Sequence, residues 1–293
     1  MILVIGGEGY IGTYLSGHLK SLGMNAVAYG NRNNDYNLLT SNYLSSYDVI
    51  ILVAGHSSVP SCRGELKGPW NNNVRNFYNL VEKLSPSQKL IYISSSSIYG
   101  NENQKIFVEH DGSMDFINNY DLTKLALDNV AKNYIHEGRN IIGLRLGTVN
   151  GGSMVLRRDI MLNSMVYSAL TEGKIFVSNT HISRPILFIG DLGRAFEAML
   201  TKEWVSGIFN LASLNATVNE MSRTTQEQVG GEIVDGGTTS GAYDFRIDTS
   251  RFEEVYDFQF KATAPDIVSN LVDHYKNKAP KVVMRNEYFD YRG

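Results

Sequence analysis

The chain has 293 residues, which is enough for a large hydrophobic core and suggests about two domains or lobes. Its formal net charge of -3 provides no positive field for a polyanion, so we expect no nucleic-acid partner. The single cysteine, Cys62, excludes an internal disulfide and cannot by itself build a zinc site, so we expect no metal.

The apolar segments of the sequence are short. The longest uninterrupted apolar run extends from Val49 to Ala54 and is far too short to cross a bilayer. The start of the sequence also lacks the basic segment that precedes the apolar stretch of a secretory signal. We therefore expect a cytoplasmic protein with no membrane partner.

The first predicted element is an apolar strand, residues 2–5, that leads directly into three glycines and an amphipathic helix. The glycines have the spacing G-x-x-G-x-x-G, which permits a tight turn and close approach of the backbone to a pyrophosphate. The N–H groups that begin the helix would then face the phosphates. Because the strand and the helix are both present, the motif predicts a dinucleotide site. Its predicted cofactor contacts are Gly6, Gly9, Tyr10, Ile11 and Gly12.

Apolar segments of strand length alternate with helical patterns through the first half of the chain. This alternation is typical of βαβ units around a buried parallel sheet. The predicted strands are 2–5, 26–29, 49–53, 90–93 and 141–146, and the helical patterns include 71–84 and 122–135. The predicted fold class is therefore α/β, with a Rossmann-type doubly wound parallel sheet.

The second half of the chain has a looser pattern. After Gly147, a loop containing Arg157 and Arg158 leads to a helix near 160–170. Residues 186–212 are predicted to return to the sheet through a short strand, a helix and a further strand. We therefore predict a discontinuous organisation, with a Rossmann domain, a smaller mixed α/β substrate lobe and a tail. These parts are 1–150 plus about 186–212, about 151–185 plus 213–278, and 279–293.

The end of the second strand bears on the choice of cofactor. NAD-binding folds usually have an acidic residue there for the ribose hydroxyls, whereas an arginine suits the 2′-phosphate of NADP. Eighteen residues after Gly12 the chain has Gly30, followed by Asn31 and Arg32, so the expected carboxylate is missing. Because Arg32 can make forked, charge-assisted hydrogen bonds to a phosphate, NADP is favoured. Asp35 lies close by, so NAD remains possible.

Tyr120 and Lys124 stand four residues apart in a predicted helix, after the serine run that begins at Ser94. Positions i and i+4 share a helix face, so the Lys124 ammonium would lie beside the Tyr120 phenol. A neighbouring cation favours the phenolate form, which makes a tyrosine usable as an acid or base. A serine hydroxyl could hold the substrate oxygen while Tyr120 moves the proton. The order of these motifs after a dinucleotide site predicts a redox enzyme.

Taken together, these motifs resemble the extended short-chain dehydrogenase/reductase family, in its nucleotide-sugar epimerase, dehydratase and reductase branch. The resemblance extends to about residue 278. It includes a strand that ends in Ala54 and Gly55, which in the family lies over the cofactor, and Leu144-Arg145 at the end of a later strand. Arg184 resembles the family residue that holds the diphosphate of the sugar nucleotide, the substrate that the resemblance implies.

The resemblance also implies a role for each predicted catalytic residue. The family's hydroxyl partner lies five positions before the glycine of a Tyr-Gly pair, and this position is Ser95. Ser95 would orient the sugar oxygen, Tyr120 would carry the proton, and Lys124 would tune Tyr120 and hold the cofactor ribose.

The residues after Ser95 distinguish the branches of the family. Family 4,6-dehydratases have an Asp-Glu pair where this chain has Ser96 and Ser97, and neither serine can act unaided as an acid or base. Fucose-synthase-like enzymes have a cysteine at the Ser97 position. These departures count against dehydration and against coupled 3,5-epimerisation. Ser96 and Ser97 remain predicted substrate contacts.

His56 follows a strand whose carboxyl end should face the cofactor cleft, where ligands collect in open α/β sheets. Two interpretations stay open. His56 contacts the substrate or the nicotinamide, or it is held by loop backbone.

Two chemistries fit the motifs. The main prediction is reduction of a 4-keto sugar nucleotide by NADPH, with Tyr120 as proton donor. The connection from Tyr29 to Val49 is short and in this respect resembles that of the family's 4-ketoreductases. The alternative is 4-epimerisation with a bound NAD. A third hypothesis, from a different class, is a non-catalytic NADP-binding sensor or scaffold.

Assembly is expected from the resemblance, since relatives often dimerise through helices corresponding to 72–84 and 121–136. A homodimer is therefore predicted. The apolar residues on these helices could equally pack on the chain's own sheet. They are Phe77, Leu80, Leu122, Leu125 and Ile135. The tail carries Tyr288, Phe289 and Tyr291, and it is interpreted either as an ordered arm on a neighbouring subunit or as a loose end.

Overall fold

The computed structural model describes residues 1–30, 35–100, 105–111, 118–240 and 242–283. Its strands are β1 (Ile2–Ile5), β2 (Ala26–Tyr29), β3 (Val49–Leu52), β4 (Lys89–Ser95), β5 (Ile106–Phe107), β6 (Asn140–Leu146), β7 (Thr148–Asn150), β8 (Val155–Arg157), β9 (Lys174–Val177), β10 (Ser183–Phe188), β11 (Gly207–Leu211), β12 (Leu214–Thr217), β13 (Glu232–Asp235), β14 (Arg246–Ile247) and β15 (Lys281–Val283). Its α-helices are α1 (Tyr10–Ser21), α2 (Ser41–Leu44), α3 (Lys67–Trp70), α4 (Asn76–Lys83), α5 (Asn119–His136), α6 (Met161–Glu172), α7 (Ile189–Thr201), α8 (Val218–Val229), α9 (Ser250–Val255) and α10 (Ala264–Asn277).

The centre of the molecule is a six-stranded parallel sheet with the strand order β11-β6-β4-β3-β1-β2. From β1 the chain winds first to β2 on one side and then to β3 on the other. The direction of winding therefore reverses between β1 and β3, and ligands of doubly wound folds bind outside the carboxyl ends of the strands at this point. The predicted Rossmann-type fold is confirmed.

These strands form because their residues are apolar on both faces. Leu3 and Val4 in β1 and Ile50 and Ile51 in β3 have no exposed surface. Helices cover both faces of a parallel sheet, so its strands are nearly continuous apolar runs rather than alternating ones. Burial of each such side chain contributes about 1.5–3 kcal/mol relative to exposure.

One predicted strand belongs to a different sheet. The short strand near residue 186 was expected to join the main sheet, but β10 pairs with β12 and β7 in a separate three-stranded sheet. The chain leaves the main sheet between β6 and β7, at Gly147. A Cβ atom at Gly147 would lie 2.8 Å from the Pro185 carbonyl oxygen, so only glycine allows β10 to approach this closely. Of the two predicted strands in this part, β11 alone joins the main sheet.

The second half of the chain shares a continuous hydrophobic core with the main sheet. Ile142 of β6 belongs to the same buried cluster as Leu162 of α6, Met221 of α8 and Leu271 of α10. Phe77 and Leu80 of α4 are buried in a second cluster on the other face of the sheet, so they pack on their own chain. In the described part of the chain, no helix is long and apolar enough to cross a membrane.

The tail begins as a strand of its own chain. Residues Lys281–Val283 form β15, which pairs in parallel with β8. The described part of the tail therefore fits neither of the two interpretations made from sequence. Tyr288, Phe289 and Tyr291 lie outside the described residues.

Candidate functional site

A cleft of about 380 Å³ lies at the carboxyl ends of β1, β3, β4 and β6. Its other wall consists of β7, the segment from β8 to the start of α6, Arg184 of β10, and Tyr243 and Phe245. The predicted site residues that line this cleft are Gly6, Gly9, Tyr10, Ile11, Gly12, Ala54, Gly55, Ser95, Ser96, Ser97, Tyr120, Lys124 and Arg184. The fold thus brings most of the predicted set to one place.

The glycines after β1 form a cradle that larger residues would fill. Gly6 has a φ of +88°, and its Cβ atom would lie 2.7 Å from the Ala54 backbone nitrogen. A Cβ atom on Gly12 would lie 2.0 Å from the Gly6 carbonyl oxygen. Gly9 caps α1 without a side-chain hydrogen bond, so the cap residue itself leaves the first backbone N–H groups of the helix open to a ligand. This cradle fits the pyrophosphate of a dinucleotide.

Tyr10 connects the glycine cradle to the second half of the chain. Its hydroxyl donates to the Gly151 carbonyl oxygen over 2.7 Å, and Ser153 Oγ donates to its backbone carbonyl over 2.9 Å. Burial raises the pKa of Tyr10, so its hydroxyl stays protonated as a donor. The sequence predicted Tyr10 only as a cofactor contact.

The end of β2 is described only in part. Asn31 and Arg32, the predicted contacts to the adenosine ribose or its phosphate, lie outside the described residues. Asp35 accepts hydrogen bonds from the Asn37 backbone nitrogen at 2.9 Å and from Asn76 Nδ2 at 3.4 Å. Its carboxylate therefore holds the turn at Tyr36–Leu38 against α4.

The serine run at the end of β4 gives each hydroxyl a different environment. Ser95 Oγ accepts from the Ser97 backbone nitrogen at 3.2 Å and lies 2.8 Å from Ser97 Oγ. Ser96 Oγ instead donates to the Leu146 carbonyl oxygen at 2.9 Å. Ser95 and Ser97 therefore form a hydroxyl pair at the cleft, while Ser96 fastens β4 to β6.

Tyr120 and Lys124 lie in the first turns of α5, and both are largely buried. The helix begins at Asn118, whose Oδ1 accepts from the backbone nitrogens of Tyr120 at 2.9 Å and Asp121 at 3.1 Å. Lys124 Nζ lies 5.9 Å from the centroid of the Tyr120 ring and donates to the Ile93 carbonyl oxygen at 2.9 Å. The ammonium and the phenol ring are therefore neighbours on one face of the helix.

Asn73 connects the loop after β3 to α5. It lies in a π-helical turn, Asn71–Arg75, between α3 and α4. Its Oδ1 accepts from the His56 backbone nitrogen at 2.9 Å, and its Nδ2 donates to the His56 carbonyl and to Thr123 Oγ1, both at 3.1 Å. A Cβ atom on Gly55 would lie 2.7 Å from Asn73 Oδ1. The sequence placed Asn73 in the helical pattern 71–84 but gave no sign of these contacts.

His56 does not line the cleft, in contrast to its predicted contact with substrate. Its side chain is 3% exposed, and its Nδ1 lies 3.1 Å from Asn72 Nδ2. Asn73 holds the backbone of His56 at both ends, and Asn72, in the same π-helical turn, contacts the imidazole. The second interpretation made from sequence was a histidine held by loop backbone, whereas the partner at Nδ1 is a side chain.

Arg184 extends from β10 to the cleft. Its Nε atom is buried and has no hydrogen-bond partner in the described part of the chain. The guanidinium carbon lies 5.5 Å from the centroid of the Tyr243 ring, and burial lowers the pKa of Arg184. A buried donor without an acceptor is costly, so this position fits an anionic ligand group.

The charged residues that line the cleft are mostly cations. Among the lining residues that the structure describes, three are cations, Lys124, Arg157 and Arg184, and one is a carboxylate, Asp159. Arg157 holds Asp159 with two hydrogen bonds, of 3.1 Å and 2.6 Å. The sequence did not single out Asp159, Tyr243 or Phe245, because they belong to no local motif. The cleft is therefore electropositive in a chain of net charge -3.

Curated proteins with similar sequences include several sugar-nucleotide enzymes. The chain is 25% identical over 279 residues to UDP-glucuronate 4-epimerase 4 of Arabidopsis thaliana, a match that covers 78% of this chain and 63% of that protein. The chain thus spans less than two thirds of the length of this relative. It is 27% identical over 247 residues to an uncharacterized protein of Methanocaldococcus jannaschii, a match that covers 72% of this chain and 75% of that protein.

Solved structures show the same fold. MoeE5 in complex with UDP-glucuronic acid and NAD has a TM-score of 0.82 at 20% identity, over 94% of this chain and 99% of that one. UDP-glucuronic acid 4-epimerase from Bacillus cereus, with UDP-glucuronic acid and NAD, has a TM-score of 0.78 at 21% identity, with the same coverage. RMD from Pseudomonas aeruginosa, complexed with NADPH, has a TM-score of 0.78 at 19% identity, again with the same coverage.

A family assignment follows from the sequence itself. Residues 2–212 match the NAD dependent epimerase/dehydratase family. This match covers the glycine cradle, the serine run, the Tyr120–Lys124 pair and Arg184, and it confirms the predicted resemblance to extended short-chain dehydrogenases/reductases. The chain therefore belongs to the NAD dependent epimerase/dehydratase family of sugar-nucleotide enzymes.

Proposed function

We propose that this protein is a 4-epimerase of a UDP-sugar that works with a bound NAD, and that UDP-glucuronate is the first substrate to test. The observation that carries the proposal is which residues line the cleft where β4 and α5 reach it. Ser95, Tyr120 and Lys124 can move one proton, and Ser96 and Ser97 stand where a dehydratase needs an acid and a base. Such a set suits reversible oxidation and reduction at one carbon rather than loss of water.

The chain's own residues handle the proton and the sugar oxygen. NAD, when bound along the glycine cradle, would accept the hydrogen from C4 and later return it. Tyr120 takes the proton of the 4-hydroxyl during oxidation. It gives the proton back to the 4-keto oxygen after the sugar has turned its opposite face towards the cofactor site. Ser95 donates a hydrogen bond to this oxygen, and the Lys124 ammonium stabilises negative charge on Tyr120. No atom is gained or lost, so the reaction is an isomerisation.

Charge and relatives support the substrate class. The buried Arg184 Nε provides a donor for a diphosphate oxygen, and the cleft carries a surplus of cations. The curated relatives include several UDP-glucuronate 4-epimerases from one plant. These matches favour the alternative made from sequence over its main prediction.

Reduction of a 4-keto sugar nucleotide by NADPH remains the second candidate. The observation in its favour is the sequence Gly30-Asn31-Arg32 at the end of β2, where an acidic residue would indicate NAD. In this reaction Tyr120 would donate one proton, and the cofactor would be consumed in each turnover. The two candidates therefore differ in the cofactor after turnover: the epimerase keeps its NAD, whereas the reductase releases the oxidised cofactor.

The test uses UDP-glucuronate labelled with deuterium at C4 and the purified protein with no added cofactor, followed by NMR. We expect interconversion of the two C4 epimers with the deuterium kept at C4, because the hydrogen returns to the same carbon. Mass spectrometry under denaturing conditions should then release NAD. No interconversion of UDP-glucuronate or UDP-glucose, together with NADPH-dependent reduction of a UDP-4-keto sugar, would establish the second candidate instead.

A further inference from the structure

Tyr243 is a cleft residue with contacts on two sides. It lies between β13 and β14, its side chain is 8% exposed, and it belongs to a small aromatic cluster with Tyr99, Phe107 and Phe245. Its hydroxyl faces the catalytic helix, and its ring faces Arg184. The position therefore connects the substrate side of the cleft with the proton-transfer side.

The hydroxyl of Tyr243 completes the cap of α5. It donates to Asp121 Oδ2 at 2.7 Å and accepts from Asn118 Nδ2 at 2.6 Å. Asn118 Nδ2 also lies 3.0 Å from the same Asp121 oxygen. Asp121 has no exposed surface and directly follows Tyr120. Its carboxylate therefore belongs to the same first turn of α5 that carries the phenol. A buried carboxylate depends on such donors, because water cannot replace them.

The ring of Tyr243 packs against the guanidinium group of Arg184. The guanidinium carbon is 5.5 Å from the ring centroid, which is within the range of a cation–π contact. The segments that carry the two residues are also hydrogen-bonded to each other, since the Ser183 nitrogen donates to the Asp244 side chain (Oδ1) at 2.8 Å and the Phe245 nitrogen to the Ser183 carbonyl at 3.2 Å. Arg184 and Tyr243 are therefore held beside each other by their neighbours in sequence.

We propose that Tyr243 is a positioning residue that couples the anion-binding Arg184 to the first turn of α5, with separate duties for its ring and its hydroxyl. The ring holds Arg184 ready for an anionic substrate group. The hydroxyl, through Asp121 and Asn118, sets the place of Tyr120. The kinetic half of this inference rests on the proposed function. A small displacement of a proton-transfer group lowers turnover far more than it lowers affinity, since the reacting atoms must lie within a narrow range.

Two substitutions separate the role of the ring from the role of the hydroxyl. Tyr243→Phe keeps the ring and removes the hydroxyl, so we expect kcat for epimerisation to fall about 10-fold while KM stays within about 2-fold. Tyr243→Leu removes both, so we expect the same loss of kcat and, in addition, a Kd for UDP weakened about 5-fold or more. Tyr256→Phe is the matched control. It removes a buried hydroxyl that donates to the Val205 carbonyl at 3.3 Å, just ahead of the amino end of β11, whereas the cleft lies at the carboxyl ends of the strands.

The experiment combines steady-state kinetics, calorimetric titration with UDP, and hydrogen exchange of the peptide that contains the first turn of α5. We expect faster exchange of the Tyr120 and Asp121 amides in Tyr243→Phe and no change in Tyr256→Phe. The proposal is overturned if Tyr243→Phe leaves kcat and this exchange unchanged, or if both Tyr243 variants bind UDP as the wild type does. If the wild type turns over no UDP-sugar, the proposed function fails, and titration and exchange still decide the role of Tyr243.

Discussion

Each of the three side chains proposed to be catalytic is held by a different neighbour. Ser95 pairs with the Ser97 hydroxyl, Lys124 donates to the end of β4, and Tyr120 is placed by the Asn118 cap. These anchors belong to three elements, β4, the turn after it and α5. The three groups are therefore fixed by the packing of the helix on the sheet, which limits their relative movement.

Replacement of Tyr120 by phenylalanine tests the proton transfer directly. The ring and its packing remain while the only proposed proton carrier is lost, so we expect kcat to fall about 10²–10⁴-fold. Binding of the dinucleotide should change by less than about 2-fold, because the glycine cradle and Lys124 are untouched. Turnover assays with calorimetric titration of NAD and NADPH measure both quantities. A Tyr120→Phe variant with near wild-type turnover would remove Tyr120 from the mechanism.

Replacement of Asn73 tests how far the site depends on the hydrogen bonds of one side-chain amide. Asn73→Ala leaves the buried N–H and C=O of His56 without their partners, and each unsatisfied group costs about 1–3 kcal/mol. We expect the free energy of unfolding to fall by at least about 2 kcal/mol and kcat to fall as well, because the tie to Thr123 is lost.

Asn79→Ala, six residues later and within α4, is the control for this substitution. Its side chain donates to Asn37 Oδ1 at 3.0 Å rather than to α5. Urea unfolding should show a loss of less than about 1.5 kcal/mol, with kcat unchanged. Equal losses of stability in the two variants would contradict a special role for Asn73.

At the level of whole elements, α8 begins with a reciprocal cap that responds to pH. Glu220 accepts hydrogen bonds from the Thr217 backbone nitrogen at 2.7 Å and from Thr217 Oγ1 at 2.9 Å. These bonds lower the pKa of Glu220, the backbone bond most. A carboxylate with a lowered folded pKa contributes stability above its unfolded value of about 4.3, and this contribution is lost as the pH falls through the folded value.

Glu220→Gln should therefore destabilise the protein by about 0.5 kcal/mol at neutral pH and by almost nothing well below pH about 4. Glu227→Gln is the matched control, because its carboxylate lies in the last turn of the same helix, where it opposes the helix dipole. We expect this control to be neutral or slightly stabilising at neutral pH. Urea unfolding of both variants as a function of pH is the measurement, and a Glu220→Gln effect that grows on acidification would contradict the cap.

The elements that the sequence predicted are those with a local cause. Residues 2–5 and 26–29 were predicted with the bounds that the structure has, because short unbroken apolar runs between turns specify strands. The glycine spacing and the Tyr120–Lys124 pair were found because each lies within a few residues of sequence. The place of β10 depends on Gly147, where the chain changes sheets, and no local pattern marks that change.

The contacts that the sequence missed join distant residues. Asn73 and Thr123 are 50 positions apart, and Tyr243 and Asp121 are 122 positions apart. Single-residue properties do not indicate such pairs, because an asparagine before a helix or a tyrosine in a loop has many possible partners. His56 shows the same limit, since its imidazole contacts Asn72 on another element. The sequence thus predicted most of the residues that line the cleft and missed the distant residues that contact them.

For the molecule as a whole, the continuous core predicts that both halves unfold together. The cluster that contains Ile142 of the main sheet also contains Leu162, Met221 and Leu271 from the helices of the second half, all nearly without exposed surface. Tyr10 adds hydrogen bonds between the glycine cradle and the loop after β7. Separation of the halves would expose this shared apolar surface, so we expect no stable intermediate in which only one half is folded.

Two probes test this expectation in urea. Far-ultraviolet circular dichroism reports on all helices, and the fluorescence of Trp204, in a Trp70→Phe variant, reports on the shared core against which Trp204 packs. We expect the same midpoint from both probes. UDP at about 100 times its Kd should raise the free energy of unfolding by about 2.7 kcal/mol and move both midpoints together to higher urea, because a ligand of either half stabilises the whole folded state. A dichroism curve with two steps, of which UDP moves only one, would show that the halves unfold separately and that the shared core does not couple them.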